Sequence, residues 1–276
     1  MKMKYAYLGP TGTFTESALQ QIATSADELI PYVNVTATLD AVRNSECDRA
    51  LVPIENSVEG VVARTLDELA IGEPLVITGE ITLPVNFALM TLSDKNINAI
   101  KSIATHPHAE SQCRTYLAKN FPHADILETT STAAAAAGLA AGKFDAAIAA
   151  PIAAKTYNLK IQTENIGDNP SAVTRFVLVE KPGREISATG NDRTSLAVFI
   201  AIDHAGALLE ILTEFAKQDV NLSFIQSRPT GKELGHYHFI IDAEGHIKDS
   251  RISEVVSNLK KICEDVRFLG SYPRAS

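Results

Sequence analysis

Residues 180–193 read EKPGREISATGNDR, and this stretch divides the chain. Charge, Pro182, Gly183, Ser187, Gly190 and Asn191 gather there between two apolar runs, which is the composition of a connector. C-terminal to it the pattern reads βαββαβ. An apolar run at 195–202 predicts a strand, and Leu208, Ile211, Leu212 and Phe215 then recur at helical spacing. Residues 220–227 and 236–242 predict two further strands, joined by a turn containing Pro229, Gly231 and Gly235. A second helix carries Ile252, Val255, Val256, Leu259 and Ile262 on one face, and 266–269 closes the unit. That order makes one sheet covered by two helices on one side, with the helical stripes as its core. The other face of the sheet needs a partner or solvent.

N-terminal to the connector, short apolar runs at 5–8, 50–54, 103–105, 146–149 and 175–179 predict buried strands. They alternate with helices predicted over 15–23, 39–44, 62–69, 110–120 and 132–141. Residues 76–91, VITGEITLPVNFALMT, read as extended chain carrying the path from one lobe to another. This is an α/β pattern with two lobes and no internal repeat. Ligands of such folds sit beyond the carboxyl ends of strands, so the loops that follow strands are where a site belongs.

The length of 276 residues suits about two domains, and 45% hydrophobic with 21% charged residues is ordinary globular composition that excludes a disordered or low-complexity chain. Lys plus Arg number 25 against 33 Asp plus Glu, a net charge of -8. The chain therefore lacks the basic field that nucleic acid or an anionic membrane would require, and neither is an expected partner. Three cysteines, Cys47, Cys113 and Cys263, are far apart and fit neither a disulfide framework nor a CxxC zinc site, which points to a reducing compartment. The four residues of 5–8 before Gly9-Pro10 are too few for the apolar core of a signal peptide. The uncharged stretch 129–142 falls short of the ~18 residues that span a bilayer, so a cytoplasmic protein is expected.

Four loops carry candidate chemistry. The strand at 5–8 runs into GPTGTFTE (9–16), a glycine and hydroxyl turn opening a helix, whose amides could hold a carboxylate or phosphate with help from Thr11 and Thr13. The simpler reading is a tight turn with Thr13 or Thr15 as helix cap. It is neither GxGxxG nor GxxxxGK[ST], so no nucleotide is indicated. The strand at 50–54 ends in ENSVEG (55–60), a cluster of acid, amide and hydroxyl where an active-site loop would lie; a cap and turn is the alternative. The strand at 103–105 delivers His106-Pro107-His108 and then Gln112 and Cys113, but no further ligand stands at metal spacing, and no metal is expected. His236 and His238 form a second HxH, read as one face of an edge strand. GDNPSAV (167–173) leads to Thr174-Arg175-Phe176, where a lone Arg175 is more simply an ion-pair partner than an anion clamp.

Taken together, YAYLGPTGTFTESA (5–18), PIENSVEG (53–60) and TRF (174–176), in this order and spacing, resemble the prephenate dehydratase family. The C-terminal segment resembles an ACT regulatory domain of the phenylalanine-responsive kind, with GALL at 206–209 and QSRP at 226–229. No chorismate mutase-like helical segment precedes the matched region, so the chain is similar to the monofunctional form. The resemblance implies conversion of prephenate to phenylpyruvate with loss of carbon dioxide and water, and no cofactor. It implies a catalytic domain at 1–182 with a fold similar to the type II periplasmic binding proteins, lobe 1 at about 1–76 and 158–182 and lobe 2 at about 77–157. A linker at 183–193 and an ACT domain at 194–276 would follow.

The same resemblance assigns the leaving hydroxyl's hydrogen-bond donor to Thr174, and places Glu55, Asn56, Thr105, Gln112 and Glu128 in or near the site. Asn56, Thr105 and Gln112 are neutral donors suited to orienting carboxylates. Glu55 and Glu128 would repel a dianion, so either they orient other residues or one is partly protonated and supplies a proton. Thr11, Thr13, Ser57 and Arg175 complete an anion-binding rim, with Arg175 its fixed cation. Gly206, Ala207, Leu208, Leu209, Gln226, Ser227, Arg228 and Pro229 would bind L-phenylalanine across the interface of a homo-oligomer, dimer or tetramer. Gln226 stands where the motif usually has Glu, which removes a charge that would face the effector's ammonium. Arogenate dehydratase, whose substrate carries an amine in place of the keto group, and a non-catalytic amino-acid sensor are the alternatives.

Overall fold

A computed structural model describes residues 2–93, 97–200, 204–231 and 237–275. The chain begins β1 (Lys4–Leu8), α1 (Phe14–Leu19), β2 (Glu28–Tyr32), α2 (Val35–Arg43), β3 (Arg49–Asn56), β4 (Gly60–Val61), α3 (Ala63–Ile71), β5 (Val76–Pro84) and β6 (Ala88–Thr91). After a 3-10 turn come β7 (Ser102–Thr105), α4 (Pro107–Gln112), α5 (Arg114–Asn120), β8 (Asp125–Glu128), α6 (Thr132–Ala140), β9 (Ala146–Ala149), α7 (Ile152–Thr156), β10 (Lys160–Thr163) and β11 (Val173–Glu180). The C-terminal elements are β12 (Asp192–Phe199), α8 (Ala207–Lys217), β13 (Leu222–Pro229), β14 (Tyr237–Glu244), α9 (Ser250–Ile262) and β15 (Asp265–Pro273).

The α/β class read from the sequence is what these elements build. One sheet has the order β2-β1-β3-β11-β5 with β4 paired to β3, and a second has the order β10-β6-β9-β7-β8. Each is a mixed sheet entered by crossover connections, and residues 76–91 supply a strand to each. The runs at β9 and β6 are buried throughout, because their neighbours on both sides and the alanine-rich α6 cover them. Glu28–Tyr32, Asp125–Glu128 and Lys160–Thr163 are strands that hydropathy did not reveal. They lie at sheet edges and are only partly buried, so they lack a continuous apolar run.

The C-terminal sheet has the order β13-β14-β12-β15, with Ile211 and Phe215 of α8 and Ile252, Val255 and Leu259 of α9 packed on one face beside Leu196, Val198 and Ile241. This is the βαββαβ arrangement with both helices on one side. His238 is therefore not on an edge strand: β14 lies between β13 and β12, and the ring is fully buried. His236, its partner in the HxH reading, lies outside the described residues.

By contact density the chain forms two compact units. One holds the chain up to Thr38 with Leu51–Val62 and Thr82–Phe176; the other holds Leu39–Ala50, Ala63–Ile81 and Val177 onward. Within the second unit, the sheet face away from α8 and α9 meets α3 and the start of β5. Arg228 forks Asp67, Arg267 donates to the Ala70 carbonyl at 2.8 Å, and Arg193 pairs with Glu80 at 2.9 Å. The partner that this face needs is thus supplied by the same chain.

Candidate active site

A cleft of about 470 Å³ lies in the first unit. Its walls come from the carboxyl ends of strands and the segments that follow them, at β1 (Gly9, Thr13, Phe14), β3 (Asn56, Glu59), β7 (His106, His108) and β8 (Thr130, Ser131), together with Thr174 of β11 and Val85 and Phe87. Phe14 and Phe87 meet edge to face at 5.4 Å and form an apolar wall. The carboxyl ends of β1, β7 and β8 each lead into a helix N-terminus at this cleft, where backbone N–H groups carry partial positive charge. No Lys or Arg lines it among the described residues, so an anion would be held here by neutral donors.

Thr174 contributes to the polar wall. Its hydroxyl oxygen accepts a hydrogen bond from Asn56 Nδ2 at 2.8 Å. The sense of that bond is determined by the other end of the amide, since Asn56 Oδ1 accepts the backbone N–H groups of Val58 at 2.8 Å and Glu59 at 2.9 Å. A hydroxyl has a single proton, which this arrangement leaves free to be donated elsewhere. Ser57 holds the register: its N–H donates to the Val173 carbonyl at 2.9 Å, and its Oγ accepts the Val173 N–H at 3.0 Å.

The GPTGTFTE turn satisfies itself. Thr13 caps α1, accepting the Glu16 N–H at 3.3 Å, and the buried Glu16 carboxylate reaches back to accept the Gly12 N–H at 2.5 Å. One amide of the turn read as an anion holder, that of Gly12, is thereby occupied by the chain's own carboxylate. Gly12 has φ +88°, and a Cβ there would meet the Tyr157 ring, whose hydroxyl donates to the Thr11 carbonyl at 2.7 Å. The Tyr7 hydroxyl donates to Thr11 Oγ1 at 3.4 Å, and burial pushes the Tyr7 phenol up to about 12.

Across the cleft, Glu59 accepts from Gln112 Nε2 at 2.8 Å, and its other oxygen lies 3.5 Å from His108 Nδ1. His106 caps α4: its Nδ1 accepts the His108 N–H at 3.2 Å, and its ring stands edge-on to that of His108 at 4.9 Å. Burial, and next the neighbouring His108, hold the His106 imidazole below its ordinary value, against the opposing pull of Glu59 and Glu128. No group of three or more metal-ligating side chains occurs among the described residues.

Of the residues proposed from sequence, the cleft brings together Thr13, Asn56, Gln112 and Thr174. The others stand behind or beside it. The buried Thr105 hydroxyl donates to the Ile148 carbonyl at 2.9 Å. Arg175 alternates to the opposite side of β11 from Thr174, is buried, and approaches Glu55 at 3.4 Å, the ion-pair arrangement that is the simpler reading of this residue. Glu128 is exposed at the end of β8. Sequence reasoning passed over Glu59 inside the quoted loop, treated His106 only as a metal candidate, and missed Ser131. The signal for Ser131 was the Thr-Thr-Ser-Thr run before an alanine helix, and Ser131 does cap α6, accepting the Ala134 N–H at 3.0 Å.

In the second unit, Gly206 at φ +101° precedes α8, with Ala207 buried, Leu208 half-buried and Leu209 exposed. Gln226 to Pro229 end β13, an outer strand of alternating exposure in which Gln226 Nε2 donates to the Ser227 carbonyl at 3.0 Å. Arg228 binds Asp67 through two parallel hydrogen bonds of 2.9 and 2.8 Å.

The sequence model of the family described as prephenate dehydratase matches residues 5–184, and that of the ACT domain matches 194–261. A prephenate dehydratase from Amycolatopsis methanolica is 45% identical over 273 residues, covering 99% of this chain and 89% of the relative. One from Mycobacterium sp. (strain JLS) is 43% identical over 281 residues, covering 98% and 89%. Among solved structures, the prephenate dehydratase of Arthrobacter aurescens, crystallised in complex with L-Phe, shares 48% identity with a TM-score of 0.93 and covers 99% of this chain and 90% of its own. Matched along nearly its whole length, the chain belongs to the prephenate dehydratase family and carries a C-terminal ACT domain.

Proposed function

We propose that this chain converts prephenate to phenylpyruvate in the Thr174 cleft, within a catalytic domain at 1–182 joined through 183–193 to a regulatory domain at 194–276. In this reaction the ring carboxylate leaves as carbon dioxide and its bonding pair enters the ring. The carbon–oxygen bond at the opposite ring carbon breaks with its pair, and the departing hydroxide takes up a proton to become water. A dianion and one proton thus give a monoanion, carbon dioxide and water. The protein has to hold the ring and offer a proton at the departing oxygen.

The observation that carries this reading is the Asn56–Thr174 hydrogen bond, in which the Thr174 oxygen accepts and its proton is left to be donated to a substrate. That no Lys or Arg lines the cleft among the described residues also suits the chemistry. Decarboxylation drains charge out of the carboxylate, so a fixed cation beside it would stabilise the ground state more than the transition state. Arg175, paired with Glu55, acts in this proposal as a support for the ENSVEG loop, and Glu55 as an orienting group.

Feedback inhibition by L-phenylalanine at the GALL and QSRP segments is part of the same proposal. It is supported by the ACT domain at 194–261 and by the L-Phe complex of the Arthrobacter aurescens relative. To regulate, the effector must bind the two states of the enzyme with different affinity. The test is to incubate purified protein with prephenate or arogenate, with and without L-phenylalanine. Phenylpyruvate formed from prephenate and slowed by phenylalanine is the expected result; faster conversion of arogenate would reassign the substrate.

A further inference from the structure

His106 enters the cleft with its tautomer already decided. It follows the last residue of β7, its Nδ1 accepts the His108 N–H at 3.2 Å, and its ring lines the same cleft as Thr174. Because Nδ1 is an acceptor, the proton of the neutral ring sits on Nε2, at the opposite edge of the imidazole. Resting on the assignment of prephenate as substrate, we propose that His106 is a further substrate-contacting residue, a neutral imidazole whose Nε2–H donates a hydrogen bond to an anionic oxygen of prephenate.

The surroundings agree with a neutral donor. The titratable groups around the ring are His108, Glu59 and Glu128; burial, and next His108, outweigh the two carboxylates and hold the imidazole below its ordinary value. A neutral donor orients a carboxylate without the full charge that would oppose its departure. The ring's other role, capping α4, uses the opposite nitrogen, so the two roles can be separated by substitution.

In His106→Asn the amide can still accept the His108 N–H and cap the helix but is too short to reproduce Nε2–H. In His106→Gln the longer amide places a donor near the Nε2 position and gives up the cap. The expected order is a loss of roughly 10- to 100-fold in kcat/KM for His106→Asn with an unchanged melting temperature, and a smaller kinetic loss with a lowered melting temperature for His106→Gln. The reverse order would show that His106 is a helix cap only and would overturn the proposal. Independently of turnover, nitrogen-15 spectra of histidine-labelled protein should show Nδ1 unprotonated and Nε2 protonated at neutral pH. Adding prephenate to the Thr174→Val protein should shift the His106 Nε2 resonance. A protonated Nδ1, or an Nε2 resonance unmoved by saturating prephenate, would also overturn it. Failure of the wild-type protein to consume prephenate would instead sink the functional assignment, while the tautomer spectrum would still report on His106.

Discussion

The Asn56 amide donates to the Thr174 hydroxyl over 2.8 Å, and it can do so in only one sense because its carbonyl end is held by the Val58 and Glu59 N–H groups. This relationship joins the end of β3 to the start of β11, far apart in the chain, and makes the direction of a proton a structural property.

Reversing that bond should stop the chemistry without unfolding the protein. In Asn56→Asp one carboxylate oxygen still accepts from Val58 and Glu59, while the other would accept the Thr174 proton and withhold it from the substrate. Turnover should fall by about 10² to 10⁴, as it should for Thr174→Val, with near-normal KM and circular dichroism in both. Steady-state kinetics decide the matter, and wild-type kcat in Asn56→Asp would remove the hydrogen-bond sense from the mechanism.

The fork between Arg228 and Asp67 should be measurable as a coupling energy. Both side chains are less than one-third exposed, at 22% and 29%, and the contact is bidentate. A double-mutant cycle of Arg228→Lys and Asp67→Asn, read by urea unfolding, should give about 1–2 kcal/mol. Additive effects would mean that the fork adds nothing beyond two independent side chains.

His238 predicts an acid-sensitive fold. The ring is fully buried and stacks on Phe199 at 4.9 Å; burial lowers its pKa below the ordinary 6.5, with Asp67 opposing and Arg228 and Arg267 reinforcing the shift. Between the folded and unfolded values the unfolded chain binds the extra proton, so stability rises with pH and is lost as pH falls through about 6.5 toward the folded value. In that window the slope contributed by this group is at most about 1.4 kcal/mol per pH unit. His238→Phe should flatten the dependence of the urea midpoint between about pH 7.5 and 5.5. An unchanged slope would assign the acid sensitivity to other groups.

Gly270→Ala should be among the most damaging conservative changes. Gly270 adopts φ +144°, and a Cβ there would press into the backbone of Ile77. Strain and clash together should cost on the order of 3 kcal/mol or more, seen as a large drop in melting temperature or as loss of soluble protein. A drop of only a degree or two would mean that β5 yields locally.

Much of this was legible in the chain. The stripes of α8 and α9 could be read because amphipathic periodicity records which side of a helix is dry. The motifs around Thr13 and Asn56 lie where a strand ends and that around Thr174 where one begins, and these strand ends meet at the cleft. Edge strands such as Lys160–Thr163 were silent, since a half-exposed strand need not be apolar. The bulge that lets Ser195 and Leu196 face Gly270 and Phe268 was silent too, because register is set by the partner strand.

The residues by themselves determined the α/β class, the C-terminal βαββαβ unit and the family, since periodicity and motif spacing are properties of one dimension. Only the tertiary structure decided that Asn56 donates to Thr174, that Arg175 turns to Glu55 while Thr174 lines the cleft, and that Glu16 fills the turn amide. Each of these depends on a distance between side chains, or on the alternation of a strand against its neighbours, and hydrogen bonds act only over a few ångströms that linear order does not record.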